Sequence, residues 1–229
     1  MNIVKRHAYE QKEKTHEMTV FIDVFRASTS LLYLFQRNVE EIILPLNDDR
    51  IPTLLNQGYV LVSEVLSDGL DNSPTQILNT NLHGKKVILR TGNLSTAILN
   101  NPPCHHAVVA GFANIGIVGQ HIRTVSPCSV ELLMASHYTE KRAALEDESC
   151  AELLECILQG ESCKGIPYLM DIEAEIESRK SRSLNYPAHY WEDLTLALQV
   201  DSVPMIPKII KRVDDVFQFV GVPNLIRDS

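Results

Sequence analysis

The chain has 229 residues, of which 45% are apolar and 22% are charged, a balance typical of a globular protein that buries one sizeable core. Its formal net charge of −8 argues against a nucleic-acid binder, because duplex binding depends on clustered lysine and arginine, but it does not exclude a small anionic ligand. The sequence shows neither an apolar run long enough to cross a membrane nor an apolar secretory leader, so a cytoplasmic protein without a membrane partner is predicted.

The five cysteines form no recognisable pattern. They include no CxxC pair, and an odd count without an export signal argues against a disulfide framework. Buried, reduced thiols are therefore expected, and a zinc site is not.

Apolar runs alternate with helical patterns along the chain, which is typical of an α/β layer fold. Several runs are continuously apolar, which suits strands buried on both faces. Strands are predicted at 19–24, 41–44, 59–63, 86–90, 107–110, 130–135 and 205–210. Helices are predicted at 28–38, 51–57, 95–100, 115–124, 148–159, 170–181 and 188–198. We expect a single three-layer α/β/α domain over residues 1–229 with a mixed, mostly parallel sheet, and room for a helical elaboration after residue 165.

The most informative segment joins the first predicted strand to the first predicted helix. Asp23 stands at the end of the apolar run 20–22, and open α/β sheets bind their ligands just beyond the carboxyl ends of strands. Asp23 is therefore predicted as a metal ligand or acid/base group, Arg26 as an anion-binding fork, and Ser28 as a helix cap beside a phosphate. An alternative stays open, in which Asp23 only caps the helix and Arg26 is a solvated surface residue.

The segment 87–96 repeats this pattern, with an apolar strand that leads into a polar turn and a short helix. Gly92 allows the backbone to approach a ligand closely, Asn93 and Ser95 are neutral donors, and Arg90 supplies charge. The turn is neither a Walker loop nor a GxGxxG fingerprint. An ordinary N-capped helix start is the alternative.

Three further junctions carry polar residues. Glu64 follows the predicted strand 59–63 and precedes a turn at 68–74. Residues 111–114 form another strand-to-helix junction, and the acidic run 146–148 begins a helix. Because acids in a first helical turn are expected from the helix dipole alone, that simpler interpretation stays open for the acidic run.

The recurrence of polar residues at several strand ends predicts a site for a divalent metal and a phosphate ester. Hard oxygen ligands such as Asp23, Glu64 and Asp147 suit Mg²⁺, which would neutralise phosphoryl charge and orient a nucleophile. The sequence shows no Ser/His/Asp order and no HExxH spacing that would point to another hydrolytic chemistry.

Five motifs occur in the collinear order DVFRASTS, DNSP, TGN, GFAN and ALEDESCA. This order resembles the 2-phosphosulfolactate phosphatase family, whose patterns include DV-[FL]-RA-[ST]-T, GNSP, TTTNGTRA, SFLNA and LED..CAG. The resemblance extends from about Thr19 to Ile210. It implies a Mg²⁺-dependent phosphoric monoester hydrolase that converts 2-phosphosulfolactate to 3-sulfolactate, a step of coenzyme M biosynthesis.

The motifs and the resemblance together predict three sets of site residues. The catalytic set is Asp23, Arg26, Glu64 and Asp147. The metal-binding set is Asp23, Glu64, Glu146 and Asp147. The substrate-binding set is Ser28, Asn72, Ser73, Arg90, Thr91, Asn93, Ser95 and Asn114. The expected cofactor is Mg²⁺, the expected partner is a small anionic phosphate ester, and the oligomeric state is left open, with a homo-oligomer as one option.

The chain departs from the family pattern at several positions. The GE-R-G-G element lacks its arginine and glycines, Asp71 replaces the glycine of the GNSP turn, and Leu94 and Thr96 replace the glycine and arginine of NGTRA. Arg90 instead stands at the first threonine of that element. These losses leave two alternatives: a degenerate relative that binds a small anion or a partner protein without turnover, and a phosphatase of a non-sulfonated ester.

Overall fold

The computed structural model describes residues 1–102, 105–161, 171–174, 178, 189–212 and 214–223. Within these ranges a nine-stranded sheet carries helices on both faces. No helix in the same ranges has the length and apolar character that crossing a membrane requires.

The sheet is mixed and mostly parallel, as predicted. Its strands are β1 (Asn2–His7), β2 (Met18–Ile22), β3 (Glu41–Pro45), β4 (Val60–Val62), β5 (Lys86–Leu89), β6 (His106–Ala110), β7 (Ser129–Met134), β8 (Met205–Lys211) and β9 (Val216–Pro223). Their order across the sheet is β1-β7-β2-β6-β8-β9-β3-β5-β4. Five of the eight pairings are parallel, and β8 and β9 account for the three antiparallel ones.

The helices pack on the sheet in two layers. They are α1 (Thr29–Gln36), α2 (Ile51–Asn56), α3 (Pro74–Asn79), α4 (Leu94–Asn100), α5 (Ile115–Val125), α6 (Leu145–Gln159) and α7 (Tyr190–Ala197). One face of the sheet packs with α1, α3 and α4, and the other packs with α5, α6 and α7 at one end and with α2 at the other. The three-layer α/β/α prediction is therefore confirmed.

Strand β2 shows why the continuous apolar runs form central strands. All five of its residues are buried, and Phe21 faces the α1 side while Val20 and Ile22 face the α5 side. A strand covered by helices on both faces has no solvent side, so the alternation of polar and apolar residues disappears. Each such large side chain contributes about 1.5–3 kcal/mol by leaving water.

Two strands that are distant in the sheet order bring their following turns to one site, where the Leu94 N–H hydrogen-bonds to Asp23. Four strands separate β2 from β5 in the sheet order, yet Phe21 of β2 and Leu89 of β5 belong to the same buried cluster. The turns that follow β2 and β5 therefore meet at the carboxyl ends of the parallel strands, where open α/β sheets bind ligands.

Several predicted boundaries differ from the structure. Strand β2 ends at Ile22 instead of Val24, and α6 begins at Leu145 instead of Glu148, which places the acidic run inside its first turn. Strands β1 and β9 and helix α3 were not predicted, because β1 carries charged residues, β9 contains Gly221, and α3 is only six residues long. The helix predicted at 170–181 lies largely outside the described residues.

The expectation of reduced cysteines is wrong at one position. Cys156 in α6 is disulfide-bonded, whereas Cys128 and Cys150 are free thiols. Cys150 is buried as expected, but Cys128 is exposed. The scattered spacing of the cysteines carried no signal for this bond, because a disulfide depends on the distance in space between two residues.

Candidate active site

The site begins at Asp23, directly after β2. Asp23 is buried, and its carboxylate accepts a hydrogen bond from the Ala27 N–H at 3.4 Å across a single helical turn that leads into α1. The Asp23 N–H donates to Ser28 Oγ at 3.1 Å. Asp23 therefore does cap the helix, as the alternative interpretation states. Capping alone does not explain the carboxylates that surround Asp23.

Asp147, in the first turn of α6, fastens two strand ends together. Its Oδ1 accepts a hydrogen bond from the Val24 N–H and its Oδ2 accepts one from the Ser136 N–H, both at 2.8 Å. Val24 follows β2 and Ser136 follows β7, so one buried carboxylate fixes both turns. The helix dipole of α6 favours a negative charge at this position.

Four carboxylates interact at these strand ends, and we call Asp23, Glu64, Glu146 and Asp147 the acidic cluster. Burial raises the pKa of Asp23 from 3.8 to about 7, and the charges of Glu64 and Glu146 add to the rise. Burial, followed by the charges of Asp23 and Glu146, raises the pKa of Asp147 well above its ordinary value. Like charges held together without water are costly, so this cluster is suited to a cation or a proton.

The turn before α4 meets the acidic cluster through its backbone. The Gly92 N–H donates to Glu64 Oε1 at 2.6 Å, and the Leu94 N–H lowers the pKa of Asp23 by hydrogen bonding. Glu64 lies at the outer rim, where partial desolvation is the largest of the causes that raise its pKa. Gly92 thus gives its N–H to Glu64, and a Cβ at Gly92 would lie only 3.4 Å from Oε1.

Among the described residues, no three histidine, cysteine, aspartate or glutamate side chains lie close enough to hold a metal ion between them. In the described residues, the carboxylates predicted as metal ligands therefore do not form a ready-made ion position with three side chains. Mg²⁺ is usually bound by one or two carboxylates together with water and substrate phosphate, and it stays a prediction at this site.

Arg26 forms the cationic side of the site and is already paired. Its Nη1 and Nη2 donate to the two carboxylate oxygens of Asp71 at 2.8 and 3.0 Å, and Nη1 also donates to Asp193 Oδ2 at 3.0 Å. Burial alone would lower the pKa of Arg26, but the hydrogen bonds and charges of Asp71 and Asp193 raise it overall. The charged Arg26 side chain is 9% exposed, so it is a largely buried fork, unlike the solvated residue of the open alternative.

Asp193 of α7 organises this side of the site, and the sequence analysis missed it. Its Oδ1 accepts hydrogen bonds from Ser73 Oγ at 2.7 Å and from the Thr75 N–H at 2.9 Å, while Oδ2 holds Arg26. Asp193 has no exposed surface. No motif marked it, because its role comes from contacts with residues about 120 and 167 positions earlier in the chain.

The turn after β5 places its polar side chains elsewhere. Arg90 forms a bidentate pair with Asp48, Nε to Oδ1 at 2.7 Å and Nη2 to Oδ2 at 3.1 Å. Thr91 and Ser95 bond each other, since the Thr91 N–H donates to Ser95 Oγ at 2.8 Å and the Ser95 N–H donates to Thr91 Oγ1 at 3.1 Å. These three side chains stabilise the turn. The turn contacts the acidic cluster through its backbone N–H groups.

The predicted asparagines have three different environments. Asn114 is fully used by the backbone: its Oδ1 accepts from the Gly111 N–H, and its Nδ2 donates to the carbonyls of Val109 and Met205. The Asn93 Oδ1 accepts a hydrogen bond from the Tyr138 N–H at 3.2 Å. Asn72 is buried, and its Oδ1 has no hydrogen-bond partner in the described part of the chain.

A second pair that the sequence analysis missed lies behind Asp147. His7 Nδ1 and Ser136 Oγ are 2.9 Å apart, and Ser136 has a left-handed backbone with a φ of 54°. Such a φ is uncommon outside glycine and asparagine, so Ser136 is held there by its contacts. The positive φ could not be read from the sequence, and no motif marked Ser136.

These features define an α/β protein whose strand ends present a cluster of carboxylates beside a largely buried guanidinium. A sequence model of the family described as 2-phosphosulpholactate phosphatase matches residues 4–212. The chain therefore belongs to the 2-phosphosulfolactate phosphatase family, whose name denotes a phosphoric monoester hydrolase, and the resemblance seen in the sequence is confirmed.

Three relatives support this assignment, and each is named as a probable 2-phosphosulfolactate phosphatase. The chain is similar to the Bacillus subtilis protein, at 31% identity over 63% of the chain and 65% of that protein, so this match spans less than two thirds of that relative. It is also similar to the Thermoplasma acidophilum protein, at 27% identity over 85% of the chain and 86% of that protein. The match to the Thermoplasma volcanium protein has 22% identity over 88% of the chain and 93% of that protein.

Proposed function

We propose that the chain is a Mg²⁺-dependent phosphatase of small anionic phosphate esters, with 2-phosphosulfolactate or a related phosphorylated acid as the substrate. The observation that carries the proposal is the burial of Asp23 among the carboxylates of Glu64, Glu146 and Asp147 at the strand ends. Family membership supports phosphoric monoester hydrolysis, and the names of the relatives supply the substrate class.

In this proposal Asp23 would hold Mg²⁺ together with Glu64 or Glu146. Asp147 takes a supporting part, because both of its oxygens accept backbone N–H groups at 2.8 Å. When bound, Mg²⁺ would neutralise phosphoryl charge and orient the attacking group. Catalysis of phosphoryl transfer depends mainly on positioning and electrostatic stabilisation, which is what this arrangement offers.

Hydrogen bonding does not decide which carboxyl of the pair Asp23 and Asp147 is protonated, because each accepts two backbone N–H groups. Since the pKa of Asp23 is about 7, this carboxyl would be about half protonated at neutral pH in the free protein. Positive charge at the cluster would favour release of its proton, since metal ligation requires the carboxylate form.

Arg26 binds the acid group of the substrate in this proposal. Its largely buried guanidinium offers fork geometry to a carboxylate or sulfonate, whereas Arg90 is held on the other side of its turn by Asp48. The N–H groups of Gly92 and Leu94 position Glu64 and Asp23 by hydrogen bonding to their carboxylates.

A second function, binding of a small anion or a partner protein without turnover, is favoured by one observation. Arg26 and Arg90 are both engaged by carboxylates, which reduces the positive charge that each offers to a polyanionic substrate. Stabilisation of the chain by a phosphorylated acid, without release of phosphate, would support this function over hydrolysis.

Phosphate release from a panel of small phosphate esters, with Mg²⁺ or with a chelator, tests the proposal. We expect release that requires Mg²⁺, and a loss of about 10²–10⁴-fold in kcat for Asp23→Asn. Asp68→Asn, which removes an exposed carboxylate from a nearby loop, is the control and should retain wild-type turnover. Release that is independent of metal, or a fully active and folded Asp23→Asn protein, would contradict the proposal.

A further inference from the structure

Arg26 is bound by two carboxylates of very different character. The Asp193 side chain has no exposed surface and holds Ser73 and Thr75 as well as Arg26. The Asp71 side chain is 29% exposed, and in the described residues the hydrogen bonds of its carboxylate are the two to Arg26. Asp193 is therefore a fixed partner of the guanidinium, and Asp71 is the partner that can leave.

Asp71 meets Arg26 in the way an anionic ligand would. Its two oxygens take Nη1 and Nη2 at 2.8 and 3.0 Å, the bidentate geometry that arginine offers to carboxylates, sulfonates and phosphates. In this respect the Asp71 carboxylate stands in for the acid group of a small ligand. Any acid group that approaches the same edge of Arg26 must first displace it.

A buried and unpaired polar group lies next to Asp71. Asn72 is 2% exposed, and its Oδ1 has no hydrogen-bond partner among the described residues, although buried polar atoms are nearly always paired. The amide can present either its oxygen or its nitrogen by rotation. Such a group beside an exchangeable ion pair is expected where a ligand completes the hydrogen bonding.

We propose that Asp71 is a specificity-determining residue that occupies, in the free protein, the position on Arg26 taken by the second anionic group of the substrate. A carboxylate or sulfonate on the substrate displaces Asp71, so the chain binds acid-bearing esters more weakly than Arg26 alone would allow. Esters without an acid group leave Asp71 in place. The inference rests on the proposed phosphatase function and names the group of the substrate that Arg26 selects.

The test compares two esters that differ in a single group. Glycerol 2-phosphate and 2-phosphoglycerate share a secondary phosphate, and the second compound carries a carboxylate in place of one hydroxymethyl group. In Asp71→Asn, with Mg²⁺ in excess, we expect KM for 2-phosphoglycerate to fall about tenfold with kcat unchanged. The reason is that the substitution should strengthen binding of the substrate and of the transition state equally. KM for glycerol 2-phosphate should stay within twofold of wild type.

Asp48→Asn is the matched control, because Asp48 forms the same bidentate pair with Arg90 on the exposed side of the other turn. This variant removes the same charge and should leave the ratio of the two KM values unchanged. Asp71→Gly, which restores the residue of the family's GNSP turn, is the second variant and covers a folding failure of Asp71→Asn. An unchanged ratio in the folded Asp71 variants, or an equal change in Asp48→Asn, overturns the proposal.

Calorimetric binding of the same two esters separates this inference from the proposed function. If no variant hydrolyses either ester, the phosphatase proposal fails for these two substrates. The role of Asp71 then stands if Asp71→Asn binds 2-phosphoglycerate about tenfold more tightly than wild type does, with glycerol 2-phosphate unchanged. It falls if the dissociation constants of both esters are the same in the two proteins.

Discussion

Two turns of this molecule read almost alike in sequence and behave differently in structure. Both follow an apolar strand, carry an arginine with serine and threonine, and lead into a helix at the same edge of the sheet. After β2, the turn presents the side chains of Asp23 and Arg26 to a buried site. After β5, Thr91 and Ser95 hydrogen-bond each other and Arg90 pairs with Asp48. That turn meets the acidic cluster only through backbone N–H groups such as that of Gly92.

The difference lies in what surrounds each turn. The Asp23 turn is enclosed by α6 and α7, which supply Asp147 and Asp193, so its charges are held away from water. The β5 turn lies near the edge of the sheet, where Arg90 can reach an exposed carboxylate. A similar sequence pattern therefore leads to repulsion between buried carboxylates after β2 and to a solvent-exposed ion pair after β5.

The largest expected effect is on the Asp23 turn, through Asp193→Ala. This substitution leaves Ser73 Oγ, the Thr75 N–H and one N–H of Arg26 without their buried acceptor. We expect a loss of about 3 kcal/mol in the free energy of unfolding, as for removal of one partner of a buried ion pair. Urea denaturation followed by circular dichroism measures it. A loss no greater than that of an exposed control such as Asp68→Ala would show that Asp193 does not anchor the turn.

The second prediction concerns pH and the acidic cluster. The pKa of Asp23 rises from 3.8 in the unfolded chain to about 7 in the folded one, so between these values the folded state binds more protons than the unfolded state. Stability of the metal-free protein should therefore fall as pH rises from 5 to 8, by about 1–3 kcal/mol.

Thermal denaturation in a chelator, with wild type and Asp23→Asn at the same pH values, checks this sign. Asp23→Asn removes the repelled charge, so it should be more stable than wild type at pH 8 and should lose part of the slope. Mg²⁺ should stabilise wild type at pH 8 more than it stabilises the variant. A variant that is less stable than wild type at pH 8 would mean that repulsion within the cluster does not govern stability.

The smallest effect is expected on the β5 turn, through Ser95→Ala. The Thr91 N–H loses a 2.8 Å acceptor in a buried setting, which should cost about 1–2 kcal/mol, comparable to loss of a helix cap. Turnover should change by less than about threefold, because Ser95 bonds Thr91 and not the acidic cluster. A large loss of turnover without a loss of stability would indicate that Ser95 contacts substrate and would remove the contrast between the two turns.

The sequence predicted the fold better than the site. Apolar runs such as 20–22 and 87–89 marked strands covered on both faces, because burial on two sides leaves a pattern that is local in the chain. Strand β1 was not predicted, because it lies at the edge of the sheet and carries charged residues. Helix α3 was not predicted, because it is a single short segment held by Ser73 and Asp193.

For the site, the sequence identified the acids at the strand ends and could not identify their partners. Asp23, Glu64 and Asp147 follow or begin elements that the sequence makes recognisable, so their meeting at one edge could be predicted. Asp193 and Ser136 could not be predicted, because their contacts cross more than a hundred positions or depend on a backbone angle.

By itself the sequence determined the class of fold, the family, and which carboxylates stand at strand ends, because periodicity and motif order are properties of neighbouring residues. The tertiary structure decided which charges lack water and which arginine faces the acidic cluster. Arg26 and Arg90 are alike in sequence context, yet one is paired in the interior by Asp193 and Asp71 and the other at the surface by Asp48. The packing of α7, which supplies Asp193, sets this difference, because burial and distance are fixed only when remote segments pack together.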